Sequence, residues 1–171
     1  MVRAIGALLL IGGTAFWGLL GAARLNSHAG QLRGMVAALQ VMQSEICTRL
    51  TPMEEVLRTV CWGTRGGVRC FFENVTAAFS RLEAETFSRI WTGAVENTPQ
   101  LVFSRGEKQA LIQLGQSLGR YDARQQREAL AYAIGRFESF ALRAETERRE
   151  KARLNAFMGV AAGLFAVVIL L

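Results

Sequence analysis

Few residues in this chain of 171 have side chains that could do chemistry: one histidine, His28, and three cysteines at positions 47, 61 and 70. A thiol nucleophile needs a base beside it. His28 follows a long apolar segment by only five residues, so we do not predict a Cys–His catalytic pair. The cysteines form no CxxC motif, and a single disulfide would leave one over. We interpret them as reduced thiols of a helical core; a small membrane enzyme that uses Cys47, Cys61 or Cys70 is an alternative hypothesis.

Carboxylates and basic residues also lack a catalytic or ligand-binding pattern. The pairs Glu54–Glu55 and Glu83/Glu85 are too close in sequence to face one site on a helix. Zinc spacing of the Cys/His type and the phosphate-binding GxxxxGK[ST] motif are both missing from the sequence. The net charge of +6 is spread along the chain, with acids between the arginines, unlike a nucleic-acid footprint. The sequence therefore predicts no catalytic, metal or cofactor site, no nucleic acid and no small-molecule substrate.

A long uncharged segment lies near each end of the chain. Residues 4–23 and 154–171 contain no acidic or basic side chain. At about 1.5 Å per residue, each segment as a helix would cross the roughly 30 Å hydrocarbon core of a bilayer. We predict two transmembrane helices there, flanking a domain at 24–153. For the first segment a cleaved secretion signal is the alternative, because Gly21 and Ala23 resemble the small residues before a cleavage site.

Basic residues next to the second apolar segment predict the orientation. Positively charged residues near a membrane favour the cytoplasmic side, so we expect the domain at 24–153 to face the cytoplasm and to contact membrane lipids. The basic residues concerned are Arg136, Arg143, Arg148, Arg149, Lys151 and Arg153.

Small residues recur at four-residue spacing in both apolar segments. Such rows let the backbones of membrane helices approach closely. They indicate helix–helix packing within the protein or between subunits. The residues are Thr14, Gly18 and Ala22 in the first segment and Gly159 and Gly163 in the second.

The domain between the apolar segments has the apolar periodicity of α-helices throughout. We predict about six helices, the last of which (about 122–153) forms a long stalk towards the second apolar segment. Their marks in the sequence are an apolar stripe from Leu32 to Leu50, helices at Pro52–Trp62, Val68–Ser80 and Glu83–Val95, a fifth helix opened by a Ser104–Glu107 capping box, and a sixth at Asp122–Arg153.

The junction of the first two helices carries two local predictions. Thr51 and Glu54 have the spacing of a capping box for the second helix. Glu45 and Arg49 are spaced i, i+4 in the favourable order for a surface ion pair. We predict that this charge pair either lies on a solvated face or faces a partner.

Four segments together resemble the stage III sporulation protein AB family of endospore-forming bacteria, over essentially the whole chain. Each is weak by itself, whereas their order and spacing are specific. GTRGGVRCFF departs from the family by being richer in Gly and Cys, which leaves the role of residues 63–70 open. The four segments are Phe16-Trp17-Gly18, LRGMVAALQVMQSEICTRLTPMEEVL, LGQSLGRYDARQQ with Gln125 and Gln126, and GVAAGLFAVVILL.

This resemblance implies a fold like the cytoplasmic domain of type II secretion and type IV pilus platform proteins (the secretion F type). It also implies a non-enzymatic subunit of the channel complex between mother cell and forespore, in the mother-cell membrane. Its expected partners are a secretion-type ATPase, the stage III sporulation protein AA, and other membrane subunits of the complex. The alternative is a doubly anchored helical scaffold that localises partners without coupling to an ATPase.

Overall fold

A computed structural model describes residues 27–79, 86–118 and 123–170 of the protein, without the side chains of residues 123, 152 and 155–170. Every regular element within these ranges is a helix, which confirms the predicted all-α class. The first predicted transmembrane segment, with Thr14, Gly18 and Ala22, lies outside the described residues.

The helices number six over these ranges. α4 begins at Phe87, four residues after the predicted start at Glu83, and α6 continues past the predicted limit at Arg153 without a break. The elements are α1 (residues 27–44, extended by the π-helical turn Glu45–Arg49), α2 (Met53–Gly63), α3 (Gly66–Phe79), α4 (Phe87–Glu96), α5 (Arg105–Leu118) and α6 (Ala123–Leu170).

The chain divides into two compact units, and α6 contributes residues to both. One unit is the helical bundle His28–Leu142. The described part of the other unit is Ser27 and the helix at 143–170. In this second unit the charged side chains pair locally: Glu145 binds Arg148 at 2.9 Å, one helical turn away.

Consecutive helices in the bundle alternate in direction. α2 packs on α3, α3 on α4 and α4 on α5. α1 and α6 are antiparallel, because Gln43 bonds to the carbonyl of Arg127 at 3.4 Å whereas Gln40 bonds to Glu138 at 3.5 Å. The start of α1 and Leu142 therefore lie at one end of the bundle, here called the proximal end. The π-helical turn and the start of α6 lie at the other, the distal end.

An aromatic cluster forms the centre of the core between α3, α4 and α5. The Trp91 ring contacts Phe71, with ring centroids 4.9 Å apart, and Phe87 at 5.6 Å. Its indole N–H donates to the carbonyl of Leu111 at 2.8 Å, so the polar atom is satisfied while the side chain is fully buried. A Cβ at Gly115 would overlap this indole, which explains why a glycine stands in the middle of α5.

Two predictions at the end of α1 are corrected. Leu32, Leu39 and Ile46 are buried as predicted, but Leu50 at the end of the same stripe is 74% exposed. The π-helical turn changes the helical register, and Leu50 then adopts the left-handed conformation with φ 54°, so that its side chain leaves the apolar face. Thr51 does not cap α2; its hydroxyl instead donates to the carboxylate of Glu45 at 2.8 Å.

Among the residues that the structure describes, no helix combines the length and the apolar character needed to cross a membrane. The backbone of α6 is helical through Gly159 and Gly163 to Leu170. The side chains of the second predicted transmembrane segment lie outside the described residues from position 155 onwards. Both transmembrane helices and their packing rows therefore stay predictions.

Candidate interaction sites

The predicted charge pair at the distal end is present and is built into the π-helical turn. Arg49 Nη1 donates to Glu45 Oε1 at 3.0 Å, and the other carboxylate oxygen of Glu45 accepts the bond from Thr51. The Glu45 side chain is only 13% exposed, whereas that of Arg49 is 70% exposed. Glu45 thus closes the turn internally, and Arg49 is the member of the pair that a partner could contact.

α6 also forms a hydrogen bond to the π-helical turn. Arg127 Nη2 donates to the backbone carbonyl of Cys47 at 2.8 Å. A π-helical turn leaves carbonyl groups with altered partners, and this guanidinium satisfies one of them. The distal turn is therefore linked directly to the first turns of α6.

Leu50 is the exposed apolar residue of this distal surface. Its left-handed conformation costs an L-residue roughly 1–2 kcal/mol, and glycine or asparagine is the usual residue at such a helix end. A leucine that is both strained and 74% exposed contributes little to the core. Together with Arg49 it forms the distal surface, an apolar group beside a cation on a preorganised turn.

At the proximal end the Ser104–Glu107 capping box forms as predicted. The backbone N–H of Ser104 donates to Glu107 Oε2 at 2.7 Å, and the N–H of Glu107 donates to Ser104 Oγ at 3.4 Å. The same carboxylate oxygen lies 3.0 Å from Nε2 of His28 on α1. The one histidine of the chain thus ties α1 to the start of α5, a role that the sequence did not indicate.

A second set of contacts at the proximal end joins α1, α3 and the loop before α5. Gln31 Nε2 donates to the carbonyl of Gln100 at 3.0 Å, and its Oε1 accepts from the N–H of Val102 at 2.9 Å. The start of α3 lies against the same loop, because a Cβ at Gly67 would overlap the Gln100 carbonyl. This contact gives the glycine-rich residues 63–70 a structural role: Gly67 permits close approach.

Trp62 is the surface residue that sequence reasoning missed. It lies on the last turn of α2 and is 88% exposed. The signal was available, since Trp62 falls opposite the buried positions Val56 and Val60 of the same helix. A large aromatic side chain left in water marks a candidate contact surface.

The three cysteines are free thiols. Burial raises the pKa of the Cys61 thiol, while a hydrogen bond with Thr76 opposes that rise. Within the described ranges no three His, Cys, Asp or Glu side chains come together as a metal site would require.

The described part of the protein is thus an all-helical bundle with long-range hydrogen bonds at the proximal end and an exposed turn at the distal end. The sequence model of the family described as stage III sporulation protein AB matches residues 3–171. The chain therefore belongs to this sporulation family.

Individual relatives agree with the family assignment. The chain is 22% identical to the stage III sporulation protein AB of Bacillus subtilis (strain 168) over 172 residues, covering 100% of both chains. A solved structure named stage III sporulation protein AB (SpoIIIAB) superposes with a TM-score of 0.67 at 21% identity, covering 72% of this chain and 98% of that one. This structural similarity shows that the two proteins share a fold.

Proposed function

We propose that this protein is a membrane platform subunit of the channel complex between mother cell and forespore. It couples a cytoplasmic secretion-type ATPase, the stage III sporulation protein AA, to membrane partners and does not itself catalyse a reaction. Membership of the stage III sporulation protein AB family, with a match over residues 3–171, supports the sporulation context. The resemblance to secretion F-type platform proteins suggests the coupling role.

The observation that carries the coupling mechanism is the continuity of α6. One helix of 48 residues contains the Arg127 contact to the distal turn and runs on to Leu170. A helix transmits displacement along its axis because each turn is hydrogen-bonded to the next. In this proposal, a push on the distal turn acts on the first turns of α6 through the Arg127 contact and is carried along this helix.

Membrane anchoring in this proposal rests on composition. Residues 4–23 and 154–171 are free of charge, and the basic residues from Arg143 to Arg153 would place the bundle in the mother-cell cytoplasm. Sodium carbonate extraction of membranes from sporulating cells tests the anchoring. Release of the full-length protein into the soluble fraction would contradict it.

The distal surface, Arg49 and Leu50, is the proposed contact for the ATPase. Arg is one of the residue types enriched at interface hot spots, and the Arg49 side chain is 70% exposed on a hydrogen-bonded turn. We expect Arg49→Glu to reduce co-purification of full-length protein with the ATPase of the same organism by about tenfold or more, equivalent to at least 1.4 kcal/mol.

A matched control is Arg58→Glu. Arg58 forms the same kind of exposed i, i+4 pair, with Glu54 at 2.8 Å, but it lies on α2. Equal loss of ATPase binding in both variants would indicate a general charge effect and contradict a specific distal contact.

The alternative is a scaffold that localises partners without coupling. The exposed i, i+4 ion pairs of the bundle, such as Arg69–Glu73 at 2.8 Å, would suit a doubly anchored scaffold whose bundle only needs to be stable. Deletion of the ATPase distinguishes the two functions: unchanged location and associations of this protein favour the scaffold.

A further inference from the structure

The α2–α3 corner presents Trp62 on a rigid support. Only Thr64 and Arg65 separate α2 from α3. The Thr64 hydroxyl is buried and donates to the carbonyl of Val60 at 2.9 Å. Gly66 supplies the positive φ of 58° that starts α3. The backbone that follows Trp62 is thus fixed, and the indole itself is 88% exposed.

Unpaired cations lie at the same end of the bundle. Arg65 and Arg105 are exposed, and Lys108 is partly exposed; within the described ranges none of the three has an ion-pair partner. Glu107, the neighbour of Lys108 in sequence, points inward to His28, and its side chain is only 7% exposed. The contacts of Gln31 and Gly67 with Gln100 bring the α2–α3 corner and the α5 start together. We call Trp62, Arg65, Arg105 and Lys108 the proximal patch.

Chain connectivity limits how far His28 can lie from a membrane that residues 4–23 would span. His28, at the proximal end, follows the first predicted transmembrane segment by five residues. Five residues reach at most about 18 Å even when fully extended. If residues 4–23 span the bilayer, the proximal end cannot be farther than this from the membrane surface.

We propose that the proximal patch rests on an anionic lipid surface, with the Trp62 indole at headgroup level and Arg65, Arg105 and Lys108 binding lipid phosphates. This inference depends on the membrane anchoring in the proposed function. Indole rings partition to the membrane interface because one edge is polar and the body is apolar. Clustered cations next to a membrane segment bind anionic headgroups.

A lipid surface fits better than an acidic protein segment. Tethering places the bilayer beside this end in every state of the complex, whether or not a protein partner is bound. The exposed group is an amphipathic indole in a patch that also holds three cations, and an indole with a polar edge and an apolar body suits a fluid lipid interface. An acidic protein partner is therefore treated as a competing outcome of the experiment.

The experiment uses the full-length protein with Trp17→Phe, reconstituted in vesicles of equal parts phosphatidylcholine and phosphatidylglycerol. Trp62 and Trp91 then remain, and Trp91 is fully buried. A second protein, with Trp17→Phe and Trp62→Phe, supplies the Trp91 background for subtraction. We expect brominated phosphatidylcholine to quench most of the Trp62 emission and aqueous acrylamide to quench little of it.

Removal of the patch charges should reverse this pattern. In Arg65→Gln/Arg105→Gln/Lys108→Gln, or in vesicles of phosphatidylcholine alone, quenching by brominated lipid should fall and quenching by acrylamide should rise severalfold. The matched control Arg58→Gln/Arg89→Gln/Arg124→Gln removes three exposed cations away from the patch and should leave Trp62 protected.

Two results would overturn the inference. One is Trp62 emission that acrylamide quenches freely in protein resistant to carbonate extraction, which would refute the lipid contact while leaving the anchoring intact. The other is protection of Trp62 only after the ATPase is added, which would assign the patch to a protein partner. Protein that carbonate releases from the vesicles would instead contradict the anchoring in the proposed function, and the lipid contact with it.

Discussion

The proximal and distal ends of the bundle are built from different kinds of contact. At the proximal end, the residues that bind one another are far apart in sequence: His28 and Glu107 are separated by 79 positions, Gln31 and Gln100 by 69. At the distal end, Glu45 binds Arg49 and Thr51, four and six positions away. Among the described residues, Arg127 joins this end to a remote part of the chain: its guanidinium donates to the Cys47 carbonyl, and its own carbonyl accepts from Gln43.

We relate this difference to two proposed roles: membrane anchoring at the proximal end and partner contact at the distal end. Long-range contacts make the proximal end dependent on the whole tertiary structure, which would suit the membrane contact that we propose for it. A local turn with one strained residue can change its surface without disturbing the core. The distal end is therefore suited to a partner that binds and releases, and the substitutions below test this contrast.

Gly67→Ala should have the largest effect on stability. The added methyl group would overlap the Gln100 carbonyl, which is backbone and cannot rotate away. We expect the free energy of unfolding to fall by about 1–3 kcal/mol, measured by urea denaturation of the detergent-solubilised full-length protein.

Gly30→Ala is the matched control at the same end. Gly30 lies inside α1, where an added Cβ meets nothing within 4 Å. This substitution should raise stability by about 0.4–1 kcal/mol. Equal effects of the two substitutions would show that the proximal end is not tightly packed.

Loss of the Glu107 carboxylate should have the next largest effect. Glu107→Ala leaves the Ser104 N–H and His28 without their acceptor, and we expect a loss of about 1–3 kcal/mol. At the distal end, Glu45→Ala removes bonds that are local and should cost about 0.5–1.5 kcal/mol.

A double-mutant cycle sharpens this prediction. His28→Ala and Glu107→Ala should be non-additive by at least about 0.5 kcal/mol, because the two residues share one contact. Additive losses would mean that His28 does not stabilise the proximal end, and the contrast between the two ends would then rest on Gly67 and Gln31 alone.

Leu50→Gly should act in the opposite direction on stability. Glycine adopts a φ of 54° without strain, so the free energy of unfolding should rise by up to about 1 kcal/mol. If Leu50 contacts the ATPase, the same variant should bind it less well, a gain in stability with a loss of function. Stabilisation with unchanged ATPase binding would remove Leu50 from the distal surface.

The sequence predicts what is local in this structure. The apolar stripes of the helices and the Ser104–Glu107 box depend on residues within one or two turns. The structure confirms the box, and it buries Leu32, Leu39 and Ile46 of the α1 stripe but not Leu50. The Thr51–Glu54 box failed although its pattern was as good, because Glu45 competes for the Thr51 hydroxyl.

Long-range contacts could not be predicted. Nothing near His28 in sequence indicates a carboxylate 79 positions away. Three glycines at positions 63, 66 and 67 suggest a flexible turn, whereas the close approach of Gln100 makes Gly67 a packing residue. Such partners become visible only when the tertiary structure brings separate helices together.

Cys61 gives the most delicate test of the proximal end, because it lies one residue before Trp62. Burial raises the pKa of its thiol, so the unreactive protonated form prevails at neutral pH. Iodoacetamide should therefore label Cys61 more slowly in the folded protein than in urea, and the difference should shrink as the pH is raised, measured by mass spectrometry of the Cys61 peptide. Thr76→Val removes the hydrogen bond that opposes the rise and should slow labelling further. Fast labelling of the folded protein at neutral pH would mean that the α2–α3 corner opens readily, and Trp62 would then lack the rigid support that the proximal patch requires.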